Sequence, residues 1–299
     1  MNSSFPPAPI LIFDIETVPD IPLIAKVYGI EAKDWTDLGI ITKIQETNNI
    51  TFFPSLYHHV VSIGALFIDP QNYTIYDGFK KSLKPQDTYE QSLLEEKELI
   101  SQFWNFSLKY QDYNKVWYDK NAVSGGYQRR PHYPTPVTFC GYNIHQFDLP
   151  VLEHRSIKHK VPCPIEAYVK DTGYQSYRSP FAIDKTFDLF KYLCPSNKIS
   201  LNAWAKAIGL SGKMEGMNGA EVQTEFFQEK NIQKIEDYCA VDVLITYGLF
   251  LNLQYFRGYI DEILYQECLK DFREFLLHEH RPKAYSELYE NSTTYFKGV

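Results

Sequence analysis

The feature that most constrains this chain is a short run near its start, ILIFDIE at 10–16, in which apolar β-formers carry two acids. Its density of Ile, Leu and Phe predicts a buried strand. Positions i and i+2 of a strand share a face, so Asp14 and Glu16 present their carboxylates side by side. A buried face tolerates that pair only when something offsets the repulsion; without a cation, one carboxyl is driven toward its neutral form. Neither Cys nor His recurs at this point, so the donors are hard oxygens, suited to Mg²⁺ or Mn²⁺. One D-x-E is nonetheless expected by chance in a chain of about this length, given average acid frequencies. The pair therefore needs company before it means anything.

Further along, VVSIGALFI (60–68) and YTIYDGF (73–79) predict two more strands joined by a turn at 69–72, while the stretch between 20 and 57 shows no clear element. Leu93, Leu94, Leu99, Ile100, Phe103 and Leu108 have helical spacing across 90–110. A polar and aromatic connection follows over 111–136, too long for a tight loop and a candidate lid or binding loop. In it Trp117, Tyr118, Tyr127 and Tyr133 alternate with Lys115, Lys120, Arg129 and Arg130. That composition suits stacking and phosphate contact on a single strand, and it equally suits a tethered surface loop. VTFCGYN then predicts a strand, with a helix starting at Phe147. TFDLFKYL reads as a strand-to-helix transition, SLNAWAKAIGL as a short helix ending at Gly209, and 220–228 and 232–256 as helices. Beyond Gly258 the pattern predicts more helix and then a frayed tail. Three strands, a helix, a strand, a helix, a strand and helices fit an α/β fold, a mixed sheet flanked by helices.

At 299 residues there is room for one large domain with a helical appendage, which we place at 9–256 and 257–299. A net charge of −7 argues against coating nucleic acid through a broad basic surface, though not against holding one strand end in a cleft where metal ions supply positive charge. No run approaches the roughly 20 apolar residues of a membrane span, and the N-terminal segment lacks the basic start and cleavage site of a signal peptide. The expectation is no membrane partner and a cytoplasmic location. Five scattered cysteines, without a C-x-x-C pair, argue against zinc and a disulfide framework.

Two more motifs join the first. Asn143-Ile-His-Gln-Phe147-Asp148 lies where a strand gives way to a helix, the place where open α/β sheets put their ligands. Phe147 can anchor in the core while Asp148 turns to the cleft; a plain helix N-cap is the competing reading for Asp148. Tyr238-Cys-Ala-Val-Asp242 lies within a helix, where i and i+4 share a face. A second Y-x-x-x-D, Tyr73 to Asp77, falls in a strand and stacks nothing. Asp188 ends the TFD strand, where a structural role competes with one near the metals; His145 reads as a solvated loop residue, and Cys140 and Cys239 as small core residues. Asn143 reads as a substrate contact or a turn former, and Lys213 as a phosphate contact or an exposed turn lysine.

The ordered set FDIET, NIHQFD and YCAVD resembles the exonuclease motifs of the DEDD superfamily, which has a ribonuclease H-like fold and degrades nucleic acid from the 3′ end. Tyr238 stands four residues before Asp242 and Asp237, not His, stands five before, which resembles the tyrosine branch. TFDLFKYL followed by SLNAWAKAIGLSGKMEG looks like the stand-alone relatives of the B-family DNA polymerase proofreading domain, over about residues 10–250. The resemblance implies a metal-dependent 3′-to-5′ exonuclease acting on single-stranded ends, DNA favoured, in the manner of DNA-repair nucleases. It implies one ion held by Asp14, Glu16 and Asp242 and a second, Mg²⁺ or Mn²⁺ in either case, shared through Asp14 with Asp148. Tyr238 then orients the attacking water, with Asn143, Phe147 and Lys213 on the substrate. A ribonuclease D-like enzyme and a non-catalytic end-binding protein of the same fold are the alternatives.

Overall fold

The computed structural model describes residues 8–84, 86–114, 135–170, 173–212, 217–292 and 294–297. Five strands form one sheet: β1 (Ile10–Pro19), β2 (His58–Ile68), β3 (Ile75–Ser82), β4 (Thr138–Gly141) and β5 (Thr186–Asp188). Their order is β3-β2-β1-β4-β5, with β1 and β3 antiparallel to β2 and with β4 and β5 running parallel to β1. This is the ribonuclease H-like mixed sheet expected from the motifs. Asp69 makes the β2–β3 turn by accepting from the amides of Gln71 and Asn72, a short side chain mimicking a backbone turn.

The central strand separates two cores by its alternation. Leu11, Phe13 and Ile15 face one side, where they pack with Leu99, Ile100, Phe103 and Trp104 of α3 (Tyr89–Ser107) and with Val151 and Leu152 of α4 (Asp148–His159). Ile12 faces the other side and meets α9 (Ile232–Phe256). The helices between these are α5 (Glu166–Lys170), α6 (Leu189–Leu193), α7 (Leu201–Ala207) and α8 (Gly219–Thr224). By length and hydropathy α9 is apolar enough to cross a bilayer, contrary to the sequence expectation; in this fold 83% of its apolar window is buried against protein. Two helices that periodicity missed, α1 (Ile21–Tyr28) and α2 (Leu38–Asn48), fill the stretch between β1 and β2. Each is short, and their apolar residues Ile21, Ile24, Ile40, Ile41 and Ile44 close on one another and Phe53 as a third small core. Helices of 8 and 11 residues depend on such packing rather than on propensity.

The C-terminal segment is less detached than its place in the chain suggests. Cys268, Leu269 and Phe272 of α10 (Glu262–Leu277) and Tyr285 and Leu288 of α11 (Lys283–Glu290) belong to the α9 core. Tyr295 and Phe296, expected in a frayed tail, are buried in it too. The Tyr295 hydroxyl donates to the carbonyl of Gly248 on α9 at 3.0 Å, where any larger residue would collide with Leu210.

Between β1, α3 and α4 lies a buried ionic network centred on Arg155. Its guanidinium meets both Asp20, just past β1, and Glu96 of α3, with the Nε to Glu96 Oε1 bond at 2.7 Å. Glu96 also accepts from the Val60 amide (2.7 Å) and contacts His159 (2.6 Å) and His59 (3.2 Å). Lys158 and Tyr89 complete the shell around Asp20. Burial raises the carboxyl of Asp20, but Arg155 and Lys158 outweigh it and bring it down to about 2. Glu96 is likewise held well below the usual range, burial being overcome by His59 and Arg155. Depressed folded values mean that these acids stabilise the fold above their unfolded values, near 4, and that the contribution fades as pH falls through the folded ones. Urea midpoints should therefore drop steeply between about pH 4.5 and 2, with a smaller drop in Asp20→Asn. Glu96→Gln, which leaves Arg155 undercompensated, is expected to cost roughly 3–5 kcal/mol at pH 7 in the same titration.

Candidate active site

The site begins with the even-numbered face of β1. Asp14 pairs with Gly64 of β2 and Glu16 with Ser62, so both carboxylates project toward α9. Gly64 sets the spacing there. A Cβ at that position would lie 3.1 Å from Val243 Cγ2 and 3.3 Å from Cys239 Sγ, so its absence lets α9 settle close over the sheet. The Cys239 thiol donates to the Asp14 carbonyl at 3.4 Å and lies 4.0 Å from Asp14 Oδ2. Asp242 follows three residues later, on the same helical flank.

The result is a cluster in which one oxygen each of Asp14, Glu16 and Asp242 lies within 4.8 Å of the others. Glu16 and Asp242 are buried and Asp14 half-buried. At an effective dielectric of about 20, two full charges at that separation repel by roughly 3–4 kcal/mol. Their field is visible in Cys239, whose thiol is pushed well above its ordinary value by burial first and then by Asp14, Glu16 and Asp242. Three hard oxygen donors from two rigid elements fit a divalent cation of the Mg²⁺ or Mn²⁺ kind, and they offer nothing to a soft metal but one neutral thiol.

Asp148 comes to the same neighbourhood by another route, outside that three-acid cluster. Past the last β1–β4 pair the amide of Ile15, between the two acids, donates to Asp148 Oδ1 at 3.3 Å. Asp148 is the first residue of α4, with Phe147 at the cap position, so the carboxylate leaves its own helix and reaches β1. The preceding loop is drawn tight: a Cβ on Gly141 would stand 2.8 Å from the Phe13 carbonyl, and Asn143 adopts φ 71°. Asp188 holds the loop by accepting from the amides of Asn143 (2.9 Å) and His145 (3.0 Å), and also caps α6 through the amide of Lys191 (3.2 Å). Burial raises its carboxyl, yet these bonds together with the His145 side chain keep it below the ordinary value. These bonds give Asp188 a structural role. His145, expected in solvent, is instead tucked beside it, the ring nitrogen 3.6 Å from Asp188 Oδ2 with only 11% of the side chain exposed.

Tyr238 lies one turn before Asp242 and is buried, in the core cluster with Ile15, Val18, Val222 and Phe226. Asp237, five residues before Asp242, pairs with Lys80 of β3 at 3.1 Å. The Asn143 side-chain oxygen is buried without a hydrogen-bond partner. Phe147 is partly buried, edge-on to His58 with centroids 4.8 Å apart. Lys213 lies outside the described residues, as do the aromatic and cationic residues of the 115–134 connection.

Residues 126–293, more than half of the chain, match a family described as a predicted 3'-5' exonuclease related to the exonuclease domain of PolB. The chain belongs to this family. It is accordingly a nuclease of the hydrolase class with nucleic acid as substrate. None of the curated proteins matches it. The matched segment carries Asp148, Tyr238 and Asp242, while Asp14 and Glu16 precede it; the sheet joins the two sets. Sequence reading missed Gly64, because its value lies in what α9 does 175 or more residues later in the chain.

Because the cluster is repulsive, Asp242→Asn should raise the melting temperature in EDTA while abolishing the upward shift that millimolar Mn²⁺ produces in the parent protein. Gly64→Val should lower both the EDTA melting temperature and the Mn²⁺ shift. Differential scanning fluorimetry reads all of these.

Proposed function

We propose that this exonuclease works from the 3′ end of single-stranded nucleic acid, DNA in preference to RNA, releasing nucleoside 5′-monophosphates with two divalent ions. The observation that carries this reading is the convergence of Asp14, Glu16 and Asp242 within 4.8 Å, with Asp148 bonded to the backbone between the first two. Asp14, Glu16 and Asp242 would hold one ion, and Asp148, with Asp14, would hold a second. Such ions, when bound, stabilise charge on the attacking and leaving oxygens of an in-line displacement.

The protein groups do the positioning. Tyr238, at one-turn spacing from Asp242, orients the attacking water through its hydroxyl; with a reference pKa near 10 it is a poor base at neutral pH, so its work is orientation. Asn143, on the loop that leads to Asp148, contacts the terminal nucleotide. Phe147 lines the base side, and Lys213 is assigned to a phosphate. Cys239 stays a neutral thiol and backs Asp14 by hydrogen bonding to its carbonyl.

The test is cleavage of 5′-labelled single-stranded DNA and RNA with Mg²⁺, Mn²⁺ or EDTA. The expected result is a ladder shortening from the 3′ end, faster on DNA, absent in EDTA. Asp242→Asn should lose at least about 10²–10³ in rate, as when a group that stabilises transition-state charge is removed. Tyr238→Phe should lose about 10² in kcat with KM little changed, the scale of a misplaced reactant. Faster loss of RNA would favour the ribonuclease D-like reading. Tight binding without metal-dependent cleavage would overturn catalysis in favour of an end-binding protein.

A further inference from the structure

The α1–α2 insertion ends in a pair of phenylalanines that the catalytic motifs do not account for. Phe53 is buried in the small α1–α2 core, whereas its neighbour Phe52 is 63% exposed. Single exposed apolar side chains are common and need no explanation. This one is different in its setting. The Phe52 ring lies 5.4 Å from that of Phe147 and 5.0 Å from that of His58, completing a three-ring group with the 4.8 Å contact between Phe147 and His58.

Two members of the group are tied to elements that carry an acid. Phe147 immediately precedes Asp148. His58 shares a hydrogen bond with Thr17, the residue after Glu16, through Oγ1 and Nδ1 at 2.9 Å, and its other ring nitrogen is 3.0 Å from the Phe53 carbonyl. Those two bonds fix the His58 ring, and the buried Phe53 fixes the loop, so Phe52 is set in place by its neighbours while its outer surface stays open. A flat, pinned aromatic surface packed on the residue that precedes Asp148 is suited to a nucleobase, because every base has a π-face and stacking does not depend on base identity.

We propose that Phe52 stacks on the base of the terminal nucleotide, making the α1–α2 insertion a part of the substrate site and base-stacking a determinant of how ends are gripped. This rests on the exonuclease reading for the nature of the ligand. It makes Phe52 a positioning residue supplied from outside the sheet and the acidic motifs, and it requires the terminal base to be free of a partner strand when bound.

The test pairs a protein change with a substrate change. On the Asp242→Asn background, which separates binding from cleavage, dissociation constants are measured by fluorescence anisotropy for oligonucleotides ending in a normal 3′ nucleotide or in an abasic one. Adding Phe52→Ala should weaken the base-bearing end roughly 5- to 150-fold, the range for one stacked base, and leave the abasic end unchanged. Phe52→Trp should restore the base-bearing end. Equal weakening of both ends, or no weakening of either, overturns the proposal. Cleavage by the otherwise unaltered chain is followed in parallel: its failure on both ends counts against the nuclease reading, while the binding comparison still decides the role of Phe52.

Discussion

Three carboxylates that crowd within 4.8 Å of one another do not stay there by attraction, so the surrounding structure has to hold them against their own repulsion. Two come from one strand and cannot separate, because alternate residues of β1 share a face. The third is brought by α9, and its distance is set by how closely that helix lies on the sheet. The missing side chain at Gly64 allows the approach, the Cys239 thiol touches the Asp14 carbonyl, and the buried apolar surface of α9 supplies the free energy. A helix with 83% of its apolar window inside the protein is hard to dislodge. The length of α9 lets its first half carry Asp242 while its second half receives Tyr295 through the Gly248 carbonyl.

The other side of the sheet performs the same service for Asp148. Its helix, α4, is held two turns farther along by Arg155, which binds Asp20 at the end of β1 and Glu96 on α3. Its start is fixed by the tight β4–α4 loop that Asp188 organises. Asp148 is therefore located by charge at one end of α4 and by backbone hydrogen bonds at the other. Buried pairs of this kind contribute little net stability against an apolar replacement, but they fix register strongly once present, since breaking one strands a charge. Position matters more than stability at a site where oxygen donors must meet a cation.

Between β1 and β2 the chain forms α1 and α2, which share a core with Phe53. That core is separate and small, and its segment meets the start of β2 and of α4 through the rings of Phe52, His58 and Phe147. The acids come from β1, α4 and α9, while the aromatic group includes Phe52 from the segment between β1 and β2. Chemistry and grip are in that sense carried by different parts of the molecule.

The sequence by itself determined the strand bearing Asp14 and Glu16, the strand-to-helix step before Asp148 and the helix bearing Tyr238 and Asp242, because alternation and helical spacing are local properties of the chain. The order of those motifs was enough to indicate the family and the sheet that the structure contains. The α1–α2 pair was not legible, since its helices are too short for a strong period and are stabilised by each other. Nor were the parts played by Gly64, Asp188 and Arg155, whose partners lie on other elements: a glycine reads as a turn or a bulge until a helix is seen resting on it. Only the tertiary structure decided that Asp148 bonds to β1 instead of capping α4, that His145 leaves solvent for Asp188, and that Tyr295 and Phe296 are core. Each of these is settled by which surfaces meet, and that is fixed by packing between segments far apart in the chain, where no local pattern reaches.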